Sequence, residues 1–160
     1  MTHWQNLRVQ DYFPHEYPFL LIDKVLYVEE NRAVAVKNVT RSEPWFTGHF
    51  PNNPIFPGVL LLEAMAQTGR FLDSLHKAVL NPRLARIENV KFHQVVRPGD
   101  TVVMEAERIA HSGALYKFKT IAKVDDTMVA HATFWVYSPD AMEMEDCLNT
   151  SYAGMEVFSL

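Results

Sequence analysis

The stretch that decides the fold is GHFPNNPIFPGVLLLEAMAQTG, residues 48–69. Its first half holds three prolines within residues 51–57, which exclude a helix and predict a rigid loop. The last of them, Pro57, suits the first turn of a helix, because proline lacks only an N–H that would be unpaired there. From Pro57 the apolar residues occupy nearly every side of a helical wheel, which predicts a helix surrounded by protein.

Two groups in this stretch can exchange protons. Glu63 is its one formally charged residue and lies among leucines, and an unpaired carboxylate is costly to desolvate, so its presence indicates a function. His49 lies fourteen positions upstream, on the loop. An acid and a base near one helix start predict general acid–base chemistry. A lone histidine is more often structural, and we interpret the others in that way: His3, His15, His76, His93, His111 and His131.

The flanking sequence predicts strands. Residues 19–29 and 32–40 are rich in Val, Leu, Ile and Tyr and form a predicted hairpin, after a short predicted helix at 6–13. Four more predicted strands follow the helix, with turn residues between them: 85–93, 101–111, 115–124 and 127–137. The pattern predicts an α+β fold in which a curved antiparallel β-sheet wraps around one long central α-helix.

The central helix is predicted to extend from Pro57 to about Val79, and its two halves differ in sequence. The first half is apolar on nearly every side, whereas Arg70, Asp73 and Lys77 recur at helical spacing in the second half. We therefore expect the second half to face solvent and to carry weak ion pairs.

Length and composition predict one domain over residues 1–139, followed by an acidic tail over 140–160. Five of the 19 acidic residues lie in that tail, so the rest of the chain has 15 basic and 14 acidic residues. This balance lacks the excess of basic residues that is typical of nucleic-acid binding. The apolar stretches are too short to span a membrane, and the N-terminus lacks a signal-peptide pattern, which predicts a cytoplasmic protein. Cys147 is the single cysteine, and neither it nor the histidine spacing predicts a metal site.

The central motif closely resembles the signature of the FabZ-type (3R)-3-hydroxyacyl-acyl carrier protein dehydratases, which are hotdog-fold enzymes. The resemblance covers roughly residues 10–138 and extends to three flanking motifs: HEYPFLLID at 15–23, VKNV at 36–39 and RPGD at 97–100. It implies removal of water from a 3-hydroxyacyl thioester on acyl carrier protein to give the trans-2-enoyl thioester. No cofactor is implied.

The resemblance also implies roles for matching residues. His49 corresponds to the general base, and Glu63 to the acid that protonates the leaving hydroxyl, with its protonated form favoured by apolar surroundings. Gly58 would polarise the thioester carbonyl through its N–H. Helical spacing puts Gln67 one turn beyond Glu63, close enough to orient the carboxyl group or a water, and a plain buried hydrogen bond is the alternative. Two copies would share each site, with His49 of one chain meeting Glu63 of the other. The implied assembly is a homodimer or a trimer of dimers, with Phe56, Val59 and Leu60 as candidate tunnel walls.

Three departures from the family pattern indicate a specialised version, serving a polyketide-like or aryl polyene assembly line. They are Asn52-Asn53 after the His-Phe-Pro motif, Arg70 in the helix, and His93-Gln94 in a stretch that is often basic. Two other functions stay open. A hotdog thioesterase would use Glu63 to activate water, and a non-catalytic acyl-binding partner of an assembly line would use neither group. The sequence does not determine the length of the acyl chain or the surface that docks the carrier. Candidates for carrier docking are the basic residues Arg83, Arg86, Lys91 and Arg97.

Overall fold

A computed structural model describes residues 8–74 and 82–138, without the side chains of residues 73 and 74. Within that part, the elements in chain order are a 3₁₀ turn Val9–Tyr12, β1 Lys24–Val28, β2 Arg32–Asn38, a 3₁₀ turn Pro44–Thr47, α1 Gly58–Ser74, β3 Arg83–Phe92, β4 Thr101–Ser112, β5 Leu115–Val124 and β6 Thr127–Tyr137. The strands form one antiparallel sheet in the order β1-β2-β4-β5-β6-β3. The predicted sheet around one long helix is confirmed.

Small side chains let the sheet curve closely around α1. Alternate residues of the strands face the helix, and alanines stand at many of these buried positions: Ala33, Ala35, Ala106, Ala122, Ala130 and Ala132. On the helix, Gly69 meets the ring of Phe118 so closely that an added Cβ would lie 3.0 Å from its Cγ. The helix therefore packs almost against the backbone of β5, and larger residues at these positions would push it away.

The turn between β5 and β6 is formed by the two aspartates that the sequence predicted there. Asp125 and Asp126 both have positive φ, at 47° and 62°, and join strands paired through Val124 and Thr127. Positive φ at both central residues is the hairpin geometry that matches the twist of the strands, and Asp tolerates it better than most residues. The two aspartates predicted as a turn therefore form one.

The first predicted strand is shorter than expected. Residues 19–23 lie outside β1, because the carbonyl of Phe19 and the N–H of Leu21 form hydrogen bonds with the side chain of Gln67. The chain joins the sheet at Lys24, opposite Val36. The predicted helix at 6–13 is reduced to the 3₁₀ turn Val9–Tyr12, and residues 6 and 7 lie outside the described chain.

The prediction that Arg70 faces solvent is wrong. Its side chain is buried, with 5 % of the residue exposed, and its guanidinium lies 5.4 Å from the ring centroid of Phe13. Tyr12 and Phe13 also contact Phe71, with ring centroids 5.2 and 6.0 Å apart. The N-terminal segment thus covers this part of α1, which periodicity within the helix alone could not reveal. The side chain of Asp73, all of Lys77 and the predicted tail 140–160 lie outside the described residues.

β1 and β3 are the two edge strands of the sheet. Among the described residues β3 pairs only with β6, and its helix-side residues Leu84, Ile87 and Phe92 are 45 %, 39 % and 47 % exposed. They share the helix side because they lie opposite the buried Val136, Phe134 and Ala130 of β6. Apolar side chains beside an unpaired edge form an unfinished surface in a single chain. In the described ranges, no helix combines the length and apolar content that crossing a bilayer requires.

Candidate active site

The loop between β2 and α1 is closed upon itself by backbone hydrogen bonds. The carbonyl of Trp45, in the 3₁₀ turn, accepts the N–H of His49 at 2.9 Å. The N–H of Ile55 then returns to the carbonyl of His49 at 3.1 Å, and the N–H of Phe56 donates to Val96 at 2.8 Å. His49 is therefore held opposite Ile55 in a folded loop, and Phe50 and Asn53 exchange backbone hydrogen bonds at its tip.

The hydrogen bond of the His49 ring sets its tautomer. Nδ1 lies 2.8 Å from the carbonyl oxygen of Ile55, and since a carbonyl only accepts, Nδ1 carries the hydrogen. Nε2 of the neutral ring is then left with its lone pair, as a general base needs. The ring is half-buried and stacks on Phe50, with centroids 4.2 Å apart, across a cis peptide bond.

Glu63 projects from the first half of α1 and is held by Gln67. The amide Nε2 of Gln67 donates to Oε1 of Glu63 at 2.9 Å and to the carbonyl of Phe19 at 2.8 Å, while its Oε1 accepts the N–H of Leu21 at 3.0 Å. Gln67 is fully buried and all these contacts are directional. It therefore fixes one carboxylate oxygen of Glu63 and leaves the other available, as the helical spacing predicted.

Gly58 begins α1 at a crowded point. A Cβ on this residue would lie 3.0 Å from Cζ and 3.1 Å from Cε1 of Phe92, so a side chain would displace that ring. In the described chain, its N–H has no hydrogen-bond partner. An open amide at the positive end of a helix can stabilise a developing oxyanion.

The other predicted site residues differ in their exposure to solvent. Val59 is 73 % exposed, Leu60 is half-buried, and Phe56 is buried against Trp45 and Phe46. Phe56 is thus part of the loop's own packing, and Val59 faces outward. The expectation of a helix surrounded by protein is wrong for this half of α1 within one chain.

His49 and Glu63 do not meet within one chain. No hydrogen bond or ion pair joins the two side chains. Within the described residues, the side chain of His49 bonds Ile55 and that of Glu63 bonds Gln67. Across the ranges 8–74 and 82–138, no three His, Cys, Asp or Glu side chains gather where they could hold a metal ion.

His15 lies near this helix face, although the sequence favoured a merely structural role. Its ring packs between Phe13 and Phe19, and its buried Nδ1 has no hydrogen-bond partner among the described residues. Burial lowers the pKa of His15, and the nearby charge of Arg70 lowers it further, against the opposing field of Glu63. Burial thus favours the neutral form of His15. Its only signal in the sequence is its place in the HEYPFLLID motif.

Asn53, the second residue of the Asn52-Asn53 pair, bonds a neighbouring segment. Its Oδ1 accepts a hydrogen bond from Nη1 of Arg97 at 2.7 Å, and the same nitrogen lies 3.3 Å from the carbonyl oxygen of Pro54. Arg97 belongs to the RPGD motif, whose Asp100 in turn accepts the N–H of Arg97. These exposed hydrogen bonds tie the loop that carries His49 to the RPGD motif.

Comparison with known proteins identifies the family of this chain. The model of the FabA-like domain matches residues 13–133, which include the loop, α1 and nearly all of the sheet. The chain belongs to the FabA-like family. Two curated relatives are named 3-hydroxyacyl-[acyl-carrier-protein] dehydratase FabZ. The one from Acetivibrio thermocellus is 49 % identical over 130 residues, covering 78 % of this chain and 88 % of the relative. The one from Caldicellulosiruptor bescii is 46 % identical over 125 residues, covering 76 % and 89 %.

A solved structure shows that this FabA-like chain has the hotdog fold. The dehydratase heterocomplex ApeI:P from Xenorhabdus doucetiae contains a chain that superposes with a TM-score of 0.78, over 90 % of this chain and 99 % of its own length. Its sequence identity is 19 %, so the likeness speaks for the fold alone. The predicted fold class is confirmed.

Proposed function

We propose that this protein is a 3-hydroxyacyl-acyl carrier protein dehydratase, acting in fatty-acid or related polyketide-like biosynthesis. The observation that carries the proposal is the tautomer of His49, which leaves Nε2 as a base, together with a Glu63 carboxyl group held by Gln67. The names of the curated relatives, at 46–49 % identity over most of both chains, support the same reaction.

The proposed reaction needs one base and one acid. Nε2 of His49 removes a proton from the carbon next to the thioester carbonyl, and the N–H of Gly58 stabilises the negative charge that develops on the carbonyl oxygen. Protonated Glu63 gives its proton to the 3-hydroxyl group, which leaves as water while the new carbon–carbon double bond forms. The protein ends with His49 protonated and Glu63 ionised, and a proton transfer restores both.

We propose that two copies complete the site. In one chain the open edge of β3 exposes Leu84, Ile87 and Phe92, and the first half of α1 exposes Val59. A second copy related by a two-fold axis can pair β3 with β3 and cover both surfaces at once. This arrangement would also bring His49 of one chain to Glu63 of the other, a contact that is missing within a single chain. Val59 and Leu60 would then line the acyl tunnel.

Three finer parts of the proposal have indirect support. A trimer of dimers is the larger assembly that the family resemblance implies. Acyl carrier protein is the proposed carrier because the relatives' names contain it. The cytoplasm is the proposed compartment, in keeping with a single cysteine in the chain.

The test is a panel of (3R)-3-hydroxyacyl thioesters on acyl carrier protein, with loss of water followed by mass spectrometry. The parent protein is expected to form the enoyl thioester, and H49A and E63Q are each expected to lose at least about a hundredfold in rate, as removal of a general base or acid does. E107Q, an exposed glutamate on β4, is the matched control and should keep the parent rate. Turnover by H49A at the parent rate would refute the assignment.

The thioesterase alternative is tested in the same assay. An acyl thioester without the 3-hydroxyl group cannot lose water, but a hydrolase would still release its thiol. We expect no thiol release, because the family resemblance implies that Glu63 donates a proton to the leaving hydroxyl group. Thiol release that depends on Glu63 would replace the dehydratase with a thioesterase. A chain that acts on neither substrate would be the non-catalytic binding partner.

A further inference from the structure

An ion pair is buried beneath the loop that carries His49. Lys37 points from β2 to the helix side of the sheet, in line with Ala33 and Ala35, and its Nζ lies 3.0 Å from Oε2 of Glu43. The two side chains are only 6 % and 10 % exposed. A buried ion pair is seldom more stabilising than two apolar side chains of the same size, since both charges are desolvated. Stability alone therefore does not account for this pair.

Glu43 is the first fixed point of the loop. It precedes the 3₁₀ turn Pro44–Thr47, and its carbonyl accepts the N–H of Phe46 at 3.2 Å. Its second carboxylate oxygen, Oε1, accepts the N–H of Thr40 at 2.8 Å. Trp45 of that turn accepts the N–H of His49. A displacement of Glu43 would therefore reach His49 through a single turn of backbone.

Phe56 is the second fixed point, at the other end of the loop. The ammonium group of Lys37 lies 5.7 Å from the ring centroid of Phe56, within the range of a cation–π contact. The same ring packs edge-on against Trp45, with centroids 6.0 Å apart. Phe56 lies two residues before Gly58, so its position also sets where α1 begins.

We propose that Lys37 is a positioning residue for His49. Its single ammonium group holds both ends of the loop, through Glu43 at the start and Phe56 at the end, and His49 lies midway between them. This inference rests on the proposed function, in which His49 is the base. Lys37 touches none of the reacting atoms and acts only through the loop.

The main test removes both charges together, so that neither is left buried alone. K37M/E43L keeps similar volumes and is expected to fold, with a thermal midpoint within a few degrees of the parent. We expect kcat to fall about tenfold or more, because small misplacements of a catalytic group are costly, while KM changes by less than about twofold. R32M/E105L is the matched control. It removes an exposed ion pair of 2.8 Å from the same strand, far from the loop, and should keep the parent kcat.

A second variant keeps the proposal testable if K37M/E43L fails to fold. In K37M/E43Q the side-chain oxygen can still accept the N–H of Thr40, so the start of the turn is preserved. The same fall in kcat is expected. A folded variant of either kind with kcat within twofold of the parent would show that the pair does not position His49.

A substrate-free measurement separates this inference from the proposed reaction. The Nδ1 hydrogen of His49, bonded to Ile55, gives a ¹⁵N-coupled proton signal that reports the place of the ring. We expect this signal to shift or broaden in K37M/E43L and to stay unchanged in R32M/E105L. An unchanged signal in a folded variant would overturn the inference, whatever the activity. A parent protein without dehydratase activity whose signal still moves would refute the reaction and leave the positioning role supported.

Discussion

The two halves of α1 differ in how far the chain itself buries them. The second half is sealed within the chain, since Arg70, Phe71 and Leu72 are buried and the N-terminal segment lies over them. The first half holds Glu63 and the open N–H of Gly58, yet Val59 is largely exposed. The chain thus covers the second half with its own N-terminal segment and leaves exposed part of the half that holds the candidate catalytic residue Glu63. The difference shows that an apolar helical pattern does not tell what will cover it: the chain itself covers the second half, and in the proposed dimer a second copy would cover the first.

The largest expected effect comes from mixing two inactive variants. If His49 of one chain works with Glu63 of the other, a dimer of one H49A chain and one E63Q chain contains one intact site. Random exchange of subunits should then restore about a quarter of the parent activity, since half of the dimers are mixed and each has one working site of two. The measurement is the rate of water loss after the variants are unfolded and refolded together.

Equal amounts of the two variants refolded separately and then combined serve as the control, and should stay inactive until subunits exchange. Continued inactivity of the mixed dimers would mean that each chain holds a complete site. The contrast between the two halves of α1 would then have no bearing on catalysis.

The next effect concerns the open edge of β3. I87K places a charge among the exposed apolar residues on the helix side of that strand, where the proposed partner would have to bury it. We expect the dimer to dissociate and activity to fall with it, as measured by sedimentation and by turnover. V103K is the matched control, since Val103 is similarly exposed, at 37 % against 39 %, but faces the other side of β4. An I87K variant that remains dimeric would place the interface elsewhere.

A smaller effect is expected at the sealed half. F13A removes the ring that covers Arg70 and contacts Phe71, and truncating a buried phenylalanine costs about 3 kcal/mol in the free energy of unfolding. Denaturant unfolding measures this loss. L26A, at an exposed leucine of β1, should change the same quantity by no more than about 0.5 kcal/mol. Equal losses in the two variants would show that the N-terminal segment adds nothing to the packing of α1.

The smallest effect is on acid stability, through His15. Burial, and then Arg70, lower the pKa of His15 in the folded chain below its ordinary value of 6.5. The unfolded chain therefore binds more protons below that pH, so the contribution of His15 to stability is present above pH 6.5 and is lost as the pH falls. H15F retains a ring against Phe13 and Phe19, and it should make the fall in stability between pH 7 and 5 shallower. An unchanged slope would mean that His15 is protonated as easily in the folded chain.

The sequence predicted the parts of this fold that depend on local pattern. The proline loop, the start of α1 and the Asp125-Asp126 turn were each specified by residues within a few positions of one another, and the structure has them there. The bond from Gln67 to Glu63 followed from helical spacing alone. The family motif then placed His49 and Glu63 among candidate catalytic groups, and the roles of these residues stay predictions.

The features that the sequence did not reveal depend on distant contacts. Arg70 appeared solvent-facing because its cover comes from Tyr12 and Phe13, nearly sixty residues earlier. Residues 19–23 look like strand by composition, but the side chain of Gln67 bonds the carbonyl of Phe19 and the N–H of Leu21. The burial of Lys37 with Glu43 leaves no trace in periodicity either, because each is an ordinary polar residue in its own segment.

If β3 pairs with β3 of a second copy, the activity of this protein depends on its concentration in the cell. If two copies must meet before a base and an acid face each other, dilution removes activity without unfolding a single chain. A cell that makes too little of the protein would hold chains that are both inactive and prone to pair with other exposed strands. The level of expression would then determine which fraction of the chains is active, and not only how many chains there are.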